Sequence, residues 1–246
     1  MQQRLKNKVA VITGSTSGIG EASAFLFSKE GAKVVVSGRN KERGLDIVKK
    51  IVKQGGDAFF IHCDVSDESS AENLINSSVA HFGRIDILFN NAGIFLPSVE
   101  IERLDTEDWL KTFQINLDGC FYVTKFAKKF LIANHGSIIN TGSIAGQQDY
   151  AAGRSYAYSA SKSAIIQFTR MMAKNYAEEG IRVNCISPGV ILTPILHGRD
   201  PQIYAERIPM KRVGTPEEVA KVAFLASDEA SYLTGVVIPV DGGASL

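Results

Sequence analysis

Residues 8–20 read KVAVITGSTSGIG: a short β-branched run from Lys8 to Thr13 breaks into a turn with glycines at Gly14, Gly18 and Gly20. A helix is expected to follow, near Ile19 to Glu30. The same pattern recurs with KVVVSG at 33–38, a helix near Lys41 to Gln54, and AFFIHCDV at 58–65. Strands that are apolar throughout and alternate with amphipathic helices predict a parallel sheet covered on both faces, an α/β fold. Further along, a helix is expected over Ala71 to Phe82, a strand at IDILFNNAG (85–93), a helix from about Asp108 to Leu131, and a strand at GSIINTGS (136–143). The stretch Ser155 to Lys174 reads as helix, IRVNCIS (181–187) as strand, Pro216 to Ser227 as helix and TGVVIPV (234–240) as strand. No linker or repeat divides the 246 residues, so one domain, 1–246, is expected. Its segment 190–214, rich in breakers and mixed in polarity, reads as a lid.

Composition narrows the function. A formal net charge of +1 gives no electrostatic reason to expect nucleic acid or a membrane surface as partner. The first apolar run is too short and wrongly flanked for a signal peptide, and no run approaches a membrane span. Cys63, Cys120 and Cys185 are odd in number, far apart and set among apolar residues, the pattern of reduced core cysteines in a cytoplasmic protein. The four histidines, His62, His81, His135 and His197, show no ligand spacing, so no metal site is expected. The absence of G-x-S-x-G weakens a hydrolase reading.

The chemistry-bearing residues fall at the ends of the expected strands. The turn Gly14, Ser15, Thr16, Ser17, Gly18, Ile19, Gly20 puts flexible backbone and a helix N-terminus where a dinucleotide pyrophosphate would sit, although this spacing also suits a mere tight turn. At the end of KVVVSG stand Ser37, Gly38 and Arg39 with no carboxylate. This favours NADP(H) over NAD(H), with Arg39 pairing with a 2′-phosphate and Ser37 donating to it; the bland alternative is a solvated arginine. Asp64 either accepts from an adenine amino group or caps the next helix. Asn90, Asn91, Ala92 and Gly93 suit a turn lining a ligand. In the 108–131 helix, Leu110, Phe113, Leu117 and Phe121 form one apolar stripe and Tyr122, Phe126 and Phe130 another, which predicts cover by the sheet on one side and another subunit on the other. Asn116 in that helix marks either a distortion whose freed carbonyl holds a water or a wet face. Ser143 is delivered to the carboxyl edge of the sheet. Tyr158 and Lys162 are four apart, one face of a helix, so the ammonium is expected to lower the phenol's pKa and make Tyr158 a general acid/base; Tyr156 faces Ala160 and has no such partner.

In this order and at these spacings, TGSTSGIG at 13–20, Asp64-Val65, NNAG at 90–93, Asn116, Ser143, YSASK at 158–162, Pro188-Gly189 and the terminal DGG resemble the short-chain dehydrogenase/reductase superfamily over nearly the whole chain. The resemblance implies a single doubly wound Rossmann domain with a seven-stranded parallel sheet. It also implies a catalytic tetrad of Asn116, Ser143, Tyr158 and Lys162. Tyr158 would pass a proton to the carbonyl oxygen, Ser143 would hold that oxygen, Lys162 would hold a ribose hydroxyl, and Asn116 would anchor a water. Asp64, Val65, Asn91, Ala92, Gly93, Pro188 and Gly189 would line the nucleotide, with Ile191 and Thr193 on the nicotinamide amide. A homotetramer built through the two long helices is implied as well. The interval from Ser143 to Tyr158 is longer than is usual in the family, and Gln147, Gln148, Tyr150 and Arg154 in it either wall the pocket or are solvated. The lid residues His197, Arg199, Tyr204 and Arg207 suit anionic and neutral ligands alike.

The expected activity is NADP(H)-dependent interconversion of a secondary alcohol and a ketone. A 3-oxoacyl-[acyl-carrier-protein] reductase is the enzyme alternative, weakened because Asn134-His135 and Glu178-Glu179 stand where an acidic carrier needs basic residues. A non-catalytic nucleotide sensor is the alternative from another class, and the presence of both Tyr158 and Lys162 speaks against it.

Overall fold

The apolar runs form strands where the pattern places them, each ending where side chains turn polar or glycine intervenes. A computed structural model describes residues 3–96, 99–147, 155–196, 198 and 200–246; Gln148, Tyr150, Arg154, His197 and Arg199 lie outside the described residues. The strands are β1 (Val9–Ile12), β2 (Lys33–Gly38), β3 (Asp57–His62), β4 (Ile87–Asn90), β5 (Ser137–Thr141), β6 (Arg182–Pro188) and β7 (Val237–Val240). They make one parallel seven-stranded sheet in the order β3-β2-β1-β4-β5-β6-β7.

Alternation along each strand feeds two apolar layers. From β1, Ala10 and Ile12 pack with Phe27 of α1 (Gly18–Lys29) and with Ile47 and Ile51 of α2 (Lys41–Lys53). On the other face Val11 packs with Leu74 of α3 (Glu68–Phe82) and with Val123 and Leu131 of α5 (Gly119–Ala133). Burying both faces is what a parallel sheet requires. The chain runs outward from β1 to β3, then crosses back to β4 on the other side of β1. The carboxyl ends of β1 and β4 therefore flank the switch point, where folds of this class hold ligands.

Three helix expectations are corrected. The helix expected from Ala71 starts at Glu68, because Asp67 caps it by accepting the Ser69 N–H. The long helix expected over 108–131 is α4 (Thr106–Phe113), a π turn at Gln114–Asp118 and then α5. The helix expected to run to Ser227 is α8 (Pro216–Ala220), started by a Thr215–Glu218 capping box and tightening into a 3₁₀ stretch at Lys221–Ala226. The stripe Leu110, Phe113, Leu117 and Phe121 lies on the outer side, with Leu110 60% and Phe121 45% exposed. The second stripe, Tyr122, Phe126 and Phe130, packs against the core.

Within 190–214, Pro194–Leu196 forms a 3₁₀ turn and Pro201–Ala205 a short helix, α7, capped by Asp200. Both ends of the segment are tied: Ile191 bridges to Gly214, and Arg212 grips Glu218 of α8 with two hydrogen bonds of 2.8 and 2.6 Å.

Candidate active site

The glycine turn is held by a residue the motif contains but the sequence reading leaves without a role. Thr13, 2% exposed, accepts the N–H of Asn91 (3.0 Å) and of Ala92 (3.1 Å) on its hydroxyl, tying the exit of β1 to the exit of β4. Gly14 sits at φ +64°, and a Cβ there would lie 2.8 Å from the Ala92 Cα, so glycine permits both the turn and this approach. At Gly20 a Cβ would clash with the Gly14 carbonyl and lie 2.8 Å from the Ser15 Cα. The Asn91 amide is spent on the same turn, donating to the carbonyls of Thr13 (3.1 Å) and Gly14 (3.3 Å).

The start of α1 is left open. Ser17 makes no capping hydrogen bond, whereas Asn40 and Asp67 cap α2 and α3 with their side chains. The first-turn N–H groups and the positive end of the helix dipole thus face the crevice beside Thr16 to Gly20, a donor set that suits a pyrophosphate. Thr193 closes over it, since a Cβ on Gly18 would lie 3.2 Å from the Thr193 Cγ2.

Two members of the expected cofactor set turn inward. Ser15 and Ser37 are fully buried: the Ser15 hydroxyl donates to the Ile12 carbonyl (2.7 Å) and accepts from the Ser37 N–H (2.8 Å), and the Ser37 hydroxyl donates to Ile12 at 3.2 Å. Even the Ser15 N–H is taken, by the Ser37 carbonyl at 2.9 Å. These serines lock β1 to β2, so the expectation that Ser37 donates to a phosphate is corrected. Arg39 remains at the rim, 63% exposed, with Nη1 3.9 Å from Asp64 Oδ2. Asp64 is not the cap of α3. Its Oδ1 accepts from the Ser66 hydroxyl (2.6 Å) and N–H (3.1 Å); burial raises its pKa, but these bonds and Arg39 outweigh burial and hold it below the usual value. Val65 is buried against Gly119, where a Cβ would meet it at 2.7 Å. Pro188 ends β6, and Gly189 lets Asp241 of the terminal DGG pack against it, since a Cβ there would lie 2.7 Å from the Asp241 Cβ. Ile191 is 5% exposed and its side chain belongs to the core.

Ser143, Tyr158 and Lys162 are brought together. Ser143, 7% exposed, starts a 3₁₀ turn at Ile144–Gly146 and accepts the Ala145 N–H at 3.1 Å. It also faces Tyr158, which is on α6 (Tyr156–Tyr176) and half-buried. Burial pushes the Tyr158 pKa up, and Ser143 opposes the rise. The expectation that Lys162 sets this pKa is corrected. Lys162 Nζ lies 5.7 Å from the Tyr158 ring centre and donates to the Thr141 carbonyl at 2.7 Å; burial lowers its own pKa to about 8. A Cβ on Gly93 would come within 3.1 Å of Asn116 Oδ1 and 3.4 Å of Lys162 Nζ, which explains the glycine there.

Asn116 is 2% exposed within the π turn, the distorted alternative of the two read from the sequence. Its Oδ1 accepts the Ile94 N–H (2.8 Å), while Nδ2 donates to the Ile94 carbonyl (3.1 Å) and to Ser161 Oγ (3.1 Å). Both amide hydrogens are used, so the side chain is a brace. Next along, the Phe95 ring stands edge-on to Tyr158, centres 5.0 Å apart at 87°. Leu96, Val99 and Leu104 line a small cavity beside Tyr156 and Tyr158. Phe95 and Ser161 carry no signal in the sequence beyond their nearness to NNAG and to Lys162. Among the described residues no group of three His, Cys, Asp or Glu side chains is placed to hold a metal, and no helix is long and apolar enough to cross a membrane.

Comparison with known proteins agrees in fold and extent. Residues 14–245 match the family model described as Enoyl-(Acyl carrier protein) reductase. Meso-2,3-butanediol dehydrogenase of Serratia marcescens is 40% identical over 98% of this chain and 96% of its own. A 3-oxoacyl-[acyl-carrier-protein] reductase of Thermotoga maritima is 40% identical over 98% of both. A solved short-chain dehydrogenase/reductase of Caenorhabditis elegans, crystallised with cofactor, superposes with a TM-score of 0.93 at 35% identity, covering 98% of this chain and 96% of that one.

Proposed function

The chain belongs to the short-chain dehydrogenase/reductase superfamily, and from that premise we propose that it interconverts a secondary alcohol and a ketone with NADP(H) as its nucleotide. The observation that carries the reading is Tyr158 facing Ser143 beside a buried Lys162, at the carboxyl edge of the sheet and next to the open start of α1. The nucleotide fits the residues: Gly14 to Gly20 for the pyrophosphate, Asp64 and Val65 toward the adenine, Ala92 and Gly93 along the floor, and Gly189, Ile191 and Thr193 toward the nicotinamide. When bound, it supplies or accepts the hydride at the carbonyl carbon.

In the reducing direction the chain handles the oxygen. Ser143 donates to it as charge develops, and Tyr158 gives it the phenolic proton. Lys162, its ammonium turned to the Thr141 carbonyl, would hold a ribose hydroxyl of the nucleotide. With both hydrogens of the Asn116 amide used, we assign to its backbone carbonyl, in the π turn, the water that returns the proton. Arg39, exposed and without a fixed carboxylate closer than 3.9 Å, is the cation for a 2′-phosphate. The protein works in the cytoplasm, supported by three free, buried thiols, and as a homotetramer, supported by the outward stripe on α4 and α5.

The carrier-protein alternative keeps one observation in its favour. Glu179, expected to repel an acidic partner, is paired with Lys128 at 3.0 Å, so its charge is largely cancelled.

One assay set tests the proposal: NADPH and NADH oxidation by wild type and Tyr158→Phe against ketones, diketones and a 3-oxoacyl thioester, with nucleotide affinity measured separately. NADPH-selective turnover of a non-acyl ketone, lost in Tyr158→Phe with NADPH affinity kept, is expected. Equal turnover by the variant overturns the mechanism, equal affinity for NADH overturns the Arg39 assignment, and activity confined to the thioester selects the alternative.

A further inference from the structure

Buried serines in helices commonly return their proton to a carbonyl one turn back, and here Ser23 and Ser78 do only that, at 2.7 and 2.6 Å. Ser161 does more. Fully buried, it donates to the Tyr158 carbonyl at 2.8 Å and at the same time accepts Asn116 Nδ2 at 3.1 Å. We propose that Ser161 is a positioning residue for the proton donor, the link through which the Asn116 brace fixes the helical turn carrying Tyr158 and Lys162. The inference rests on Tyr158 being that donor.

The geometry makes Asn116 hold the phenol from two directions. On one side its amide grips both backbone polar groups of Ile94, which fixes the backbone next to Phe95, whose ring borders the Tyr158 ring edge-on. On the other side Ser161 passes the same amide's second hydrogen bond to the Tyr158 backbone. Without the Ser161 hydroxyl, a buried Asn116 N–H loses its partner and the Tyr158 carbonyl loses its side-chain donor. The phenol is then free to shift relative to Ser143, the group that must share the substrate oxygen with it. Proton transfer depends on sub-ångström placement, whereas nucleotide binding, made mostly by the β1 and β4 exits, does not pass through this link.

Ser161→Ala is expected to lower kcat by about tenfold to a hundredfold while leaving NADPH affinity within about twofold of wild type. A second readout needs no cofactor: the tyrosinate absorbance titration of the apo protein, with Tyr158→Phe subtracted to isolate Tyr158, is expected to move in Ser161→Ala. Ser78→Ala, removing a buried helix hydroxyl that bonds only backwards, should move neither. If the alanine variant does not fold, Ser161→Cys, of similar volume but a poor hydrogen-bonding group, carries the same expectation. The inference is overturned by a kcat near wild type, by a loss that merely follows nucleotide affinity or the melting temperature, or by an unmoved titration. Turnover in Tyr158→Phe would instead bring down the proton-donor reading itself; an inactive Tyr158→Phe beside a fully active Ser161→Ala removes only the role of Ser161.

Discussion

Lys162 shows how a single residue trades stability for chemistry. It is 3% exposed, has one protein acceptor at 2.7 Å, and its pKa falls from 10.5 to about 8 because burial disfavours the ammonium. The folded pKa is the lower one, so between about pH 8 and 10.5 the unfolded chain holds a proton that the folded chain has released, and stability rises with pH across that window. Below it the full penalty applies, on the order of 3 kcal/mol from the size of the shift. Lys162→Met, which fills similar space without charge, is therefore expected to be inactive yet more stable at neutral pH, by about 1 to 3 kcal/mol. Urea unfolding at pH 7 and pH 10 checks this: the variant's advantage should shrink as pH rises, and a variant less stable than wild type at pH 7 contradicts the account. The four-residue spacing of Tyr158 and Lys162 was legible in the sequence. The direction of the ammonium was not, because the carbonyl that captures it belongs to Thr141 on β5 and no spacing along α6 reveals that neighbour.

At the scale of elements, the segment 190–214 is tied at its carboxyl end. Glu218 takes two hydrogen bonds from Arg212 and one from the Thr215 N–H at 2.9 Å, and its pKa falls to about 2, the Arg212 bond being the largest cause. With the folded pKa depressed below the unfolded 4.5, the contribution is present above about pH 4.5 and lost as pH falls toward 2. Glu218→Gln should loosen that end: hydrogen exchange across 201–214 should quicken at pH 7 and substrate KM should rise, with the β1 to β4 core unchanged. Exchange rates equal to wild type would show that the segment is held elsewhere. The π turn marks the limit of reading elements from pattern. Asn116 announced a defect by being a poor helix former, but apolar periodicity runs through both flanking helices and conceals where the ladder breaks. In the same way Ser15 read as a ligand because it stands in the glycine turn and Ser37 because it ends β2, whereas the close packing of β1 on β2 turns both inward.

For the whole molecule, strand alternation and the glycine turn were enough to predict a parallel sheet, and the order of its strands follows from short connections and right-handed crossovers. What apolar content alone does not say is which of two stripes faces the sheet. The structure puts Ile115, Val123, Ala127 and Leu131 inward and leaves Leu110 and Phe121 exposed, with Phe113 and Leu117 half-buried between them. These four recur at intervals of three or four residues, so they share one face that runs across the π turn. On α6, Met171 is also 54% exposed. A contiguous apolar stripe of this length is costly in water unless another surface covers it, and a second copy of the chain presents a stripe of the same kind. Phe121→Glu places a carboxylate at the edge of that contact, where two symmetry-related charges would approach each other. The expected outcome by light scattering after gel filtration is a tetramer for the wild type and a smaller species for the variant, with the far-ultraviolet circular dichroism of the two unchanged. Because the stripe lies on α4 and α5, which flank the turn holding Asn116, turnover is expected to fall on dilution as the proposed assembly dissociates. A wild type that is already monomeric at micromolar concentration, or a variant that stays tetrameric, would remove the stripe as the assembly surface.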